Sequence, residues 1–393
     1  MIYVGIDVAS QKHDCCILDR KGALCAEFQI QNTQEGFSLL LQKLTEFSTP
    51  ESTKIGLEAT GIYSTNLTAF LRRNGFEVTT FNPLQIKKRL SATTLRKTKT
   101  DKSDARFIAD TVMQEAPQPD IPVSYHISEL KSLSRLRFHL VQERSKAKTR
   151  AKAALHVLFP EFASAFSDMF GASARAVLIK YSSAKQLADC QLNALAELLQ
   201  TASRGRFGLQ KAAELKQLAA NSIGADSPAR ALSLQFYLEQ IQLLSTQITA
   251  LEQQIKALME QLDSPILSVP GIGYILGAAI LSEIGDIHRF ASPAKLLAFA
   301  GLEPSIYQSG RYQSASGSMV KRGSPHLRWA LMQAARLVPR FNDVFGQYLN
   351  KKLSEHKHFS VASSHVAKKL VRVIFALLKN NVYFSSSTRS SAA

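Results

Sequence analysis

The 393-residue sequence predicts an α/β domain followed by a mainly helical remainder, and three observations carry that prediction. The first hundred residues alternate short β-branched apolar runs with amphipathic stretches. A seven-residue apolar repeat crosses the middle of the chain, and glycine-punctuated apolar segments follow it.

Residues 2–8 form an apolar run of strand length, and 13–18 and 24–30 read as two more strands separated by a polar turn at 19–22. Residues 34–47 have helical apolar spacing, 54–58 return to strand, 63–74 are helical with Gly75 as a stop, and 76–81 are strand again. Three hairpin-like strands followed by alternating helix and strand describe a mixed sheet with flanking helices, the ribonuclease-H-like arrangement.

Acidic residues sit at the predicted element ends: Asp7 in Gly-Ile-Asp-Val, Glu58 in Leu-Glu-Ala-Thr-Gly, and Asp101 with Asp104 at the start of a helix predicted to run to about Glu115. Three-residue spacing puts Asp101 and Asp104 on one helical face. Four carboxylates at one point repel one another unless cations lie between them. Oxygen donors without His or Cys select Mg²⁺, or Mn²⁺, over Zn²⁺. Two such ions about 4 Å apart stabilise both the attacking and the leaving oxygen at phosphorus. Taken singly, Asp7 reads as a turn residue, Glu58 as a stray acid, and Asp101 and Asp104 as helix caps. Their common placement favours a metal tetrad.

Net charge is +17, which favours polyanionic partners. From 87 to 106 there are eight basic residues (Lys87, Lys88, Arg89, Arg96, Lys97, Lys99, Lys102, Arg106), and the two acids among them are the candidate ligands. A basic flank draws phosphate toward carboxylates that would otherwise repel it; Lys97 and Lys99 are candidate nucleic-acid contacts. Cys15, Cys16, Cys25 and Cys190 lack zinc-type spacing, and without a signal peptide they read as reduced packing residues of a cytoplasmic protein. The apolar stretch 266–284 is broken by Pro270, Gly271, Gly273 and Gly277, so no membrane span is expected.

After a linker at 117–122 the chain becomes helical. Residues 128–159 carry a basic run, and 172–225 are helical without a motif. Leu234, Ile241, Ile248, Ile255 and Leu262 recur every seven residues, interleaved with Tyr237, Leu244, Leu251 and Leu258. A coiled coil accounts for this seam; its partner is the earlier helix, another subunit, or both. Residues 267–281 resemble a helix-hairpin-helix in which Gly271 and Gly273 let amides hold a phosphate, although an ordinary helix-helix turn also favours small residues. Beyond it, Ser309 precedes Gly310 among Arg311, Lys321, Arg322 and Arg328, all candidate phosphate contacts. Local chemistry does not single Ser309 out, since Ser305, Ser314, Ser316 and Ser318 compete and no His is poised as base.

The ordered set Gly-Ile-Asp-Val, Glu-Ala-Thr-Gly-x-Tyr, Asn82-Pro83, Lys-Thr-Asp-x-x-Asp-Ala, Pro-Gly-Ile-Gly, Gly-Leu-x-Pro, Ser-Gly and Lys-x-Gly-x-x-x-Leu-Arg resembles the IS-one-ten family of insertion-sequence transposases, which includes the Piv-type DNA invertases. The match covers roughly 1–120 and 265–380. The resemblance implies an N-terminal RuvC-like domain whose Asp7, Glu58, Asp101 and Asp104 bind Mg²⁺, and a nucleophilic Ser309. It further implies serine and tetrad meeting across subunits, a phosphoserine link to DNA, and a bridge RNA that pairs with donor and target DNA.

The resulting organisation is a RuvC-like domain at 1–120, a helical and coiled-coil region at 121–263, and a helical transposase domain with helix-hairpin-helix and serine loop at 264–384. A disordered tail at 385–393 follows. Expected partners are double-stranded DNA, a structured guide RNA and further copies of the chain, as dimer or tetramer through the coiled coil, in the bacterial cytoplasm near the nucleoid. Two features depart from the family pattern: a long helical middle, about 159–225, and Ser324-Pro325 where the motif carries Asn after its glycine. Rival readings are a Piv-like invertase, a resolvase of the same fold that uses water, and an inactive nucleic-acid-binding scaffold. An actin-like ATPase is disfavoured because no second glycine-rich phosphate loop is present.

Overall fold

The computed structural model describes residues 1–58, 61–83, 86, 89, 101–115, 124–305, 308–309, 312–313 and 318–385; for 101, 102, 308, 309, 312 and 313 it describes the backbone alone. Lys97, Lys99, Arg311, the linker at 117–122 and nearly all of the tail at 385–393 lie outside these residues. The chain divides into two compact units, Met1–Pro122 and Val123–Ala393.

The first unit is built on a five-stranded mixed sheet. Strands β1 (Ile2–Val8), β2 (Lys12–Leu18), β3 (Leu24–Gln31), β4 (Thr53–Glu58) and β5 (Glu77–Phe81) lie in the order β3-β2-β1-β4-β5. The first three form an antiparallel meander, and β4 and β5 add in parallel, as the alternation predicts. Because side chains alternate across a strand, Ile2, Val4, Ile6, Cys15, Ile17, Ile55, Leu57 and Val78 share one face. There they make a core with Leu40 and Leu44 of α1 (Gln34–Phe47) and Leu67 and Leu71 of α2 (Tyr63–Arg73). The opposite face is covered by α3 (Asp101–Glu115), whose Ala105 and Ala109 meet Cys16 and Leu18, while Ile108 and Val112 meet Phe81. Cys15 and Cys16 are buried as packing residues, but Cys25 is exposed on the edge strand β3; all four cysteines are free.

The second unit centres on two long helices, α4 (Tyr125–Leu158) and α5 (Pro228–Leu262). Arg137 Nε bonds Glu252 at 2.7 Å and Arg144 Nη1 bonds Ser245 at 3.4 Å, so seven residues forward on α4 match seven back on α5 and the pair is antiparallel. Leu234, Ile241, Ile248 and Ile255 are buried along with Leu238, Leu244, Leu251 and Met259. The earlier helix of the same chain is thus a partner of the heptad seam. The helical middle forms short helices between 162 and 220, whose apolar faces share a core with Ala147, Ala151 and Leu155 of α4 and Leu234 and Leu238 of α5. At the other end of the pair, α6 (Tyr274–Ile284), α7 (Pro293–Phe299), α8 (Pro325–Leu337), α9 (Asp343–Ser354) and α10 (Phe359–Asn380) enclose a second core that includes Ile255, Met259 and Leu130. Among the described residues, no helix is long and apolar enough to cross a membrane.

Candidate active site

Placement of the N-terminal carboxylates follows from two glycines. Gly5 of β1 and Gly56 of β4 are register partners in neighbouring parallel strands, and both face α3. A methyl group at Gly5 would overlap the Ala105 carbonyl oxygen and the Ala109 amide nitrogen. One at Gly56 would overlap the Val112 side chain. The missing side chains let α3 lie directly on the sheet, with Ala105 and Ala109 against β1.

Two residues past each glycine on the same face stand Asp7 and Glu58, one step beyond the Ile6–Leu57 register pair. One residue before Ala105 stands Asp104, 7 % exposed on the first turn of α3. Asp7, Glu58 and Asp104 therefore belong to one side of the sheet. The Asp101 backbone begins the same helix, one turn ahead of Asp104; its carboxylate lies outside the described atoms.

A further carboxylate joins them. Asp14 of β2 is the direct cross-strand partner of Asp7 and 5 % exposed, and Gln29 Nε2 donates to its two oxygens at 3.0 and 3.2 Å. Like charges directly opposite on adjacent strands are destabilising, so this pairing deepens the negative potential at the strand ends. Motif reading missed Asp14 because it belongs to no short signal. Period-two reading of β2 would have found it, since Asp14, Cys16 and Leu18 alternate onto the face of Asp7.

The donors on this face are hard oxygens, a set suited to Mg²⁺ or Mn²⁺. Among the described residues, no three His, Cys, Asp or Glu side chains close around a common point. Asp7, Asp14, Glu58 and Asp104 share that face.

In the second unit Ser309 lies on a short hairpin. β6 (Gln308–Ser309) pairs antiparallel with β7 (Tyr312–Gln313), Ser309 opposite Tyr312. The stem of the hairpin holds a bridge between Pro304 and Met319, with Ser305 N bonded to Ser318 O at 2.8 Å and Val320 N to Glu303 O at 3.0 Å. Where the sequence suggested a loop, the described residues pair backbone to backbone at these two levels.

Several contacts clamp its base. Gly301 (φ +67°), Lys321 (φ +55°) and Gly323 (φ +121°) take left-handed turns where the two stem ends meet; a methyl group at Gly301 would stand 2.6 Å from Arg322 O and from Arg328 Nη1. Arg328 Nη1 donates to Lys321 O at 3.1 Å and Ala300 O at 3.3 Å, so this candidate phosphate contact is engaged in the stem. Lys321 and Arg322 are exposed beside it.

Ser324 caps α8, its Oγ accepting from Leu327 N at 3.1 Å and donating to Glu283 Oε2 at 2.8 Å. Glu283 is 3 % exposed and also accepts from Arg135 Nε at 2.6 Å and Nη2 at 3.1 Å. Burial pushes the Glu283 carboxyl up, but donation from Arg135 and Ser324 outweighs it and holds the group below its ordinary range. This ion pair, buried at its carboxylate and with partners 148 positions apart, had no sequence signal.

The proposed hairpin glycines diverge. Gly271 (φ +91°) packs against Val338 and Phe341, where a methyl group would come within 3.0 Å, whereas Gly273 caps α6 with open space around it. A 3₁₀ turn at Pro265–Ser268, not an α-helix, precedes them.

Comparison with known proteins settles the family. A transposase family model, DEDD Tnp IS110, matches residues 4–160, and the model of the transposase IS116/IS110/IS902 family matches 263–350. The chain belongs to the IS110 (IS-one-ten) family of insertion-sequence transposases. It is 28% identical to the mini-circle transposase for IS117 of Streptomyces coelicolor over 81% of this chain and 80% of that one. It is 24% identical to the pilin gene-inverting protein of Moraxella bovis over 96% of each. Among solved structures, Thermus thermophilus RuvC in complex with a Holliday junction substrate aligns with 30% of this chain and 100% of its own, at 14% identity and TM-score 0.24.

Proposed function

We propose that this IS110-family transposase cleaves and rejoins DNA strands with Ser309 as nucleophile and a divalent ion held by Asp7, Glu58, Asp101 and Asp104. The observation that carries this reading is the common face of Asp7, Glu58 and Asp104, set by the Gly5–Gly56 saddle beneath α3. When bound, Mg²⁺ would neutralise the scissile phosphate and stabilise the entering and leaving oxygens. The Ser309 hydroxyl gives up its proton to a carboxylate and forms a bond to phosphorus, while the P–O bond of the scissile ester breaks and the departing oxygen takes a proton. Rejoining reverses these changes and frees the serine. The Ser309 backbone belongs to a short hairpin, a placement that suits attack on a phosphate brought to a different copy of the chain.

The same reading includes a structured guide RNA that supplies sequence choice, oligomerisation through the heptad helix, phosphate contacts from Lys97, Lys99, Arg311, Lys321 and Arg322, and phosphate held by the amides after Gly273 at the start of α6. It places the reaction in the bacterial cytoplasm. Full-length similarity to the pilin gene-inverting protein supports site-specific inversion as the second reading.

Two variants test the proposal. Asp104→Asn abolishes Mg²⁺-dependent strand cleavage, and Ser309→Ala abolishes covalent protein–DNA adducts while nucleic-acid binding persists. Unchanged cleavage in Asp104→Asn rejects the metal site, and a surviving adduct in Ser309→Ala rejects the nucleophile. Cleavage by the wild type with no adduct at all assigns the nucleophile to water.

A further inference from the structure

We propose that a surface groove between α4 and α8 is a stacking site for one unpaired nucleobase of single-stranded DNA, with Trp329 as its platform. The groove, about 400 Å³, is lined by Arg137, Phe138, Gln142 and Lys146 of α4 and by Trp329, the chain's single tryptophan, on α8. Phe138 stands edge-on to Trp329 with ring centroids 5.0 Å apart and edge-on to His326 at 4.9 Å. These rings are half-buried, whereas core aromatics such as Phe159 and Phe162 are fully enclosed.

An aromatic wall of this kind could equally receive an apolar peptide, and charge decides against that. From 131 to 152 helix α4 carries Lys131, Arg135, Arg137, Arg144, Lys146, Lys148, Arg150 and Lys152 against the single acid Glu143. Arg135 is paired with Glu283, Arg137 with Glu252, and Lys146 with Glu143 in an exposed pair that solvent screens. The remaining positive excess along the helix suits a phosphate backbone running past the rings. Base–aromatic stacking beside cations is how sequence-tolerant single-strand sites are built. Gln142 adds a side-chain amide for a base edge.

Position argues for DNA as the source of the strand. Trp329 lies five residues after Ser324, the cap residue at which the Ser309 hairpin ends. On the reading of that hairpin as the cleaving element, the unpaired strand beside the groove is the one being cut and exchanged. A base pulled from its stack and held there would keep the strand open during the exchange.

Because Trp329 is the only tryptophan, its emission reports on the groove directly. Full-length protein titrated with a short oligothymidylate should show quenched emission, with weaker and smaller quenching by a duplex of equal length and by oligouridylate. In anisotropy titrations with the labelled DNA strand, Trp329→Ala should weaken binding about 5- to 100-fold. Trp329→Phe should keep it within about threefold, and Lys146→Glu should weaken it and flatten its salt dependence.

If Trp329→Ala does not fold, Lys146→Glu, on an exposed side chain, decides alone. Unchanged emission at saturating DNA, tighter binding of the RNA strand, or wild-type affinity in Lys146→Glu or in folded Trp329→Ala would overturn the proposal. Asp104→Asn and Ser309→Ala should quench like wild type. Their cleavage result therefore judges the catalytic reading and the quenching judges the groove.

Discussion

Asp7 and Glu58 project from adjacent parallel strands in the middle of a sheet, with α3 seated on them by two paired glycines, whereas Ser309 rides on a two-residue strand whose stem is held from below by side chains. The first arrangement is continuous: strand pairing, register and helix seating all act within a few residues of the acids. The second acts at a distance, through Gly301, Gly323, Arg328 and the Ser324–Glu283–Arg135 chain of contacts. A metal site tolerates little movement of its ligands, since coordination distances are fixed within tenths of an ångström. A nucleophile that travels to its phosphate needs a firm base and a reachable tip. The contrast predicts that damage to the sheet site is structural and severe, while damage below the hairpin is graded.

The largest effect belongs to Gly5→Val. Its side chain meets backbone atoms of Ala105 and Ala109, which cannot rotate away, so α3 must lift from β1. Overpacking of this kind costs about 3 kcal/mol or more. Chemical denaturation of residues 1–122 within the full chain should show that loss, accompanied by loss of Mg²⁺-dependent cleavage. Wild-type stability in this variant would mean that α3 is not seated on Gly5.

Glu283→Ala breaks the other site at its deepest point. It strips Arg135 of its bidentate partner and leaves the Ser324 hydroxyl without an acceptor; Arg135 stays 43% exposed, so water relieves part of the cost. A loss of about 2–3 kcal/mol from the second unit is expected, with adduct formation and strand cleavage reduced together and the stability of the first unit unchanged. An equal loss of stability in the first unit would show that the two units do not unfold separately.

How much of each site the sequence reveals follows the same division. β1, α1, β4, β5 and α3 are legible because period-two and helical patterns are local, and Asp7, Glu58 and Asp104 mark ends of β1, β4 and α3. Asp14 escaped because its signal is a face and not a motif. The heptad on α5 was plain, yet the partner was open until Arg137–Glu252 and Arg144–Ser245 fixed α4 against it. Glu283 is the one charge of an apolar helix and Arg135 one base among many on α4, and only the packing of α4, α6 and α8 brings them together. Arg328 was read as a phosphate contact because basic residues cluster there; in the fold its Nη1 ties the stem carbonyls.

A pH experiment sharpens the comparison from within the first unit. His13 is buried against Phe37, and among the described residues neither ring nitrogen reaches a partner at hydrogen-bond geometry, though Asn32 stands near. Burial lowers its pKa below the ordinary 6.5. The unfolded chain therefore takes up a proton that the folded one refuses as pH falls below about 6.5, and stability declines there with a slope of up to about 1.4 kcal/mol per pH unit. Above that value the imidazole is neutral in both states and contributes no slope. His13→Leu should remove this slope from the first unit's melting-versus-pH curve and leave the second unit's curve unchanged.

The smallest effect is expected from Ser324→Ala. Its hydroxyl caps α8 through Leu327 N and donates to Glu283, so the substitution costs the cap about 1 kcal/mol. Glu283 meanwhile keeps both bonds to Arg135 and remains compensated. The helix should fray by a turn at most, since Pro325 still fixes the first helical residue. Fraying there loosens the lower end of the stem without altering β6–β7 pairing. The expected signature is a small fall in melting temperature with adduct formation slowed severalfold, and amide exchange at Leu327 and Arg328 accelerated relative to wild type. If adduct formation instead fell as far as in Glu283→Ala, the serine hydroxyl, and not the buried ion pair, would be what holds the hairpin's base.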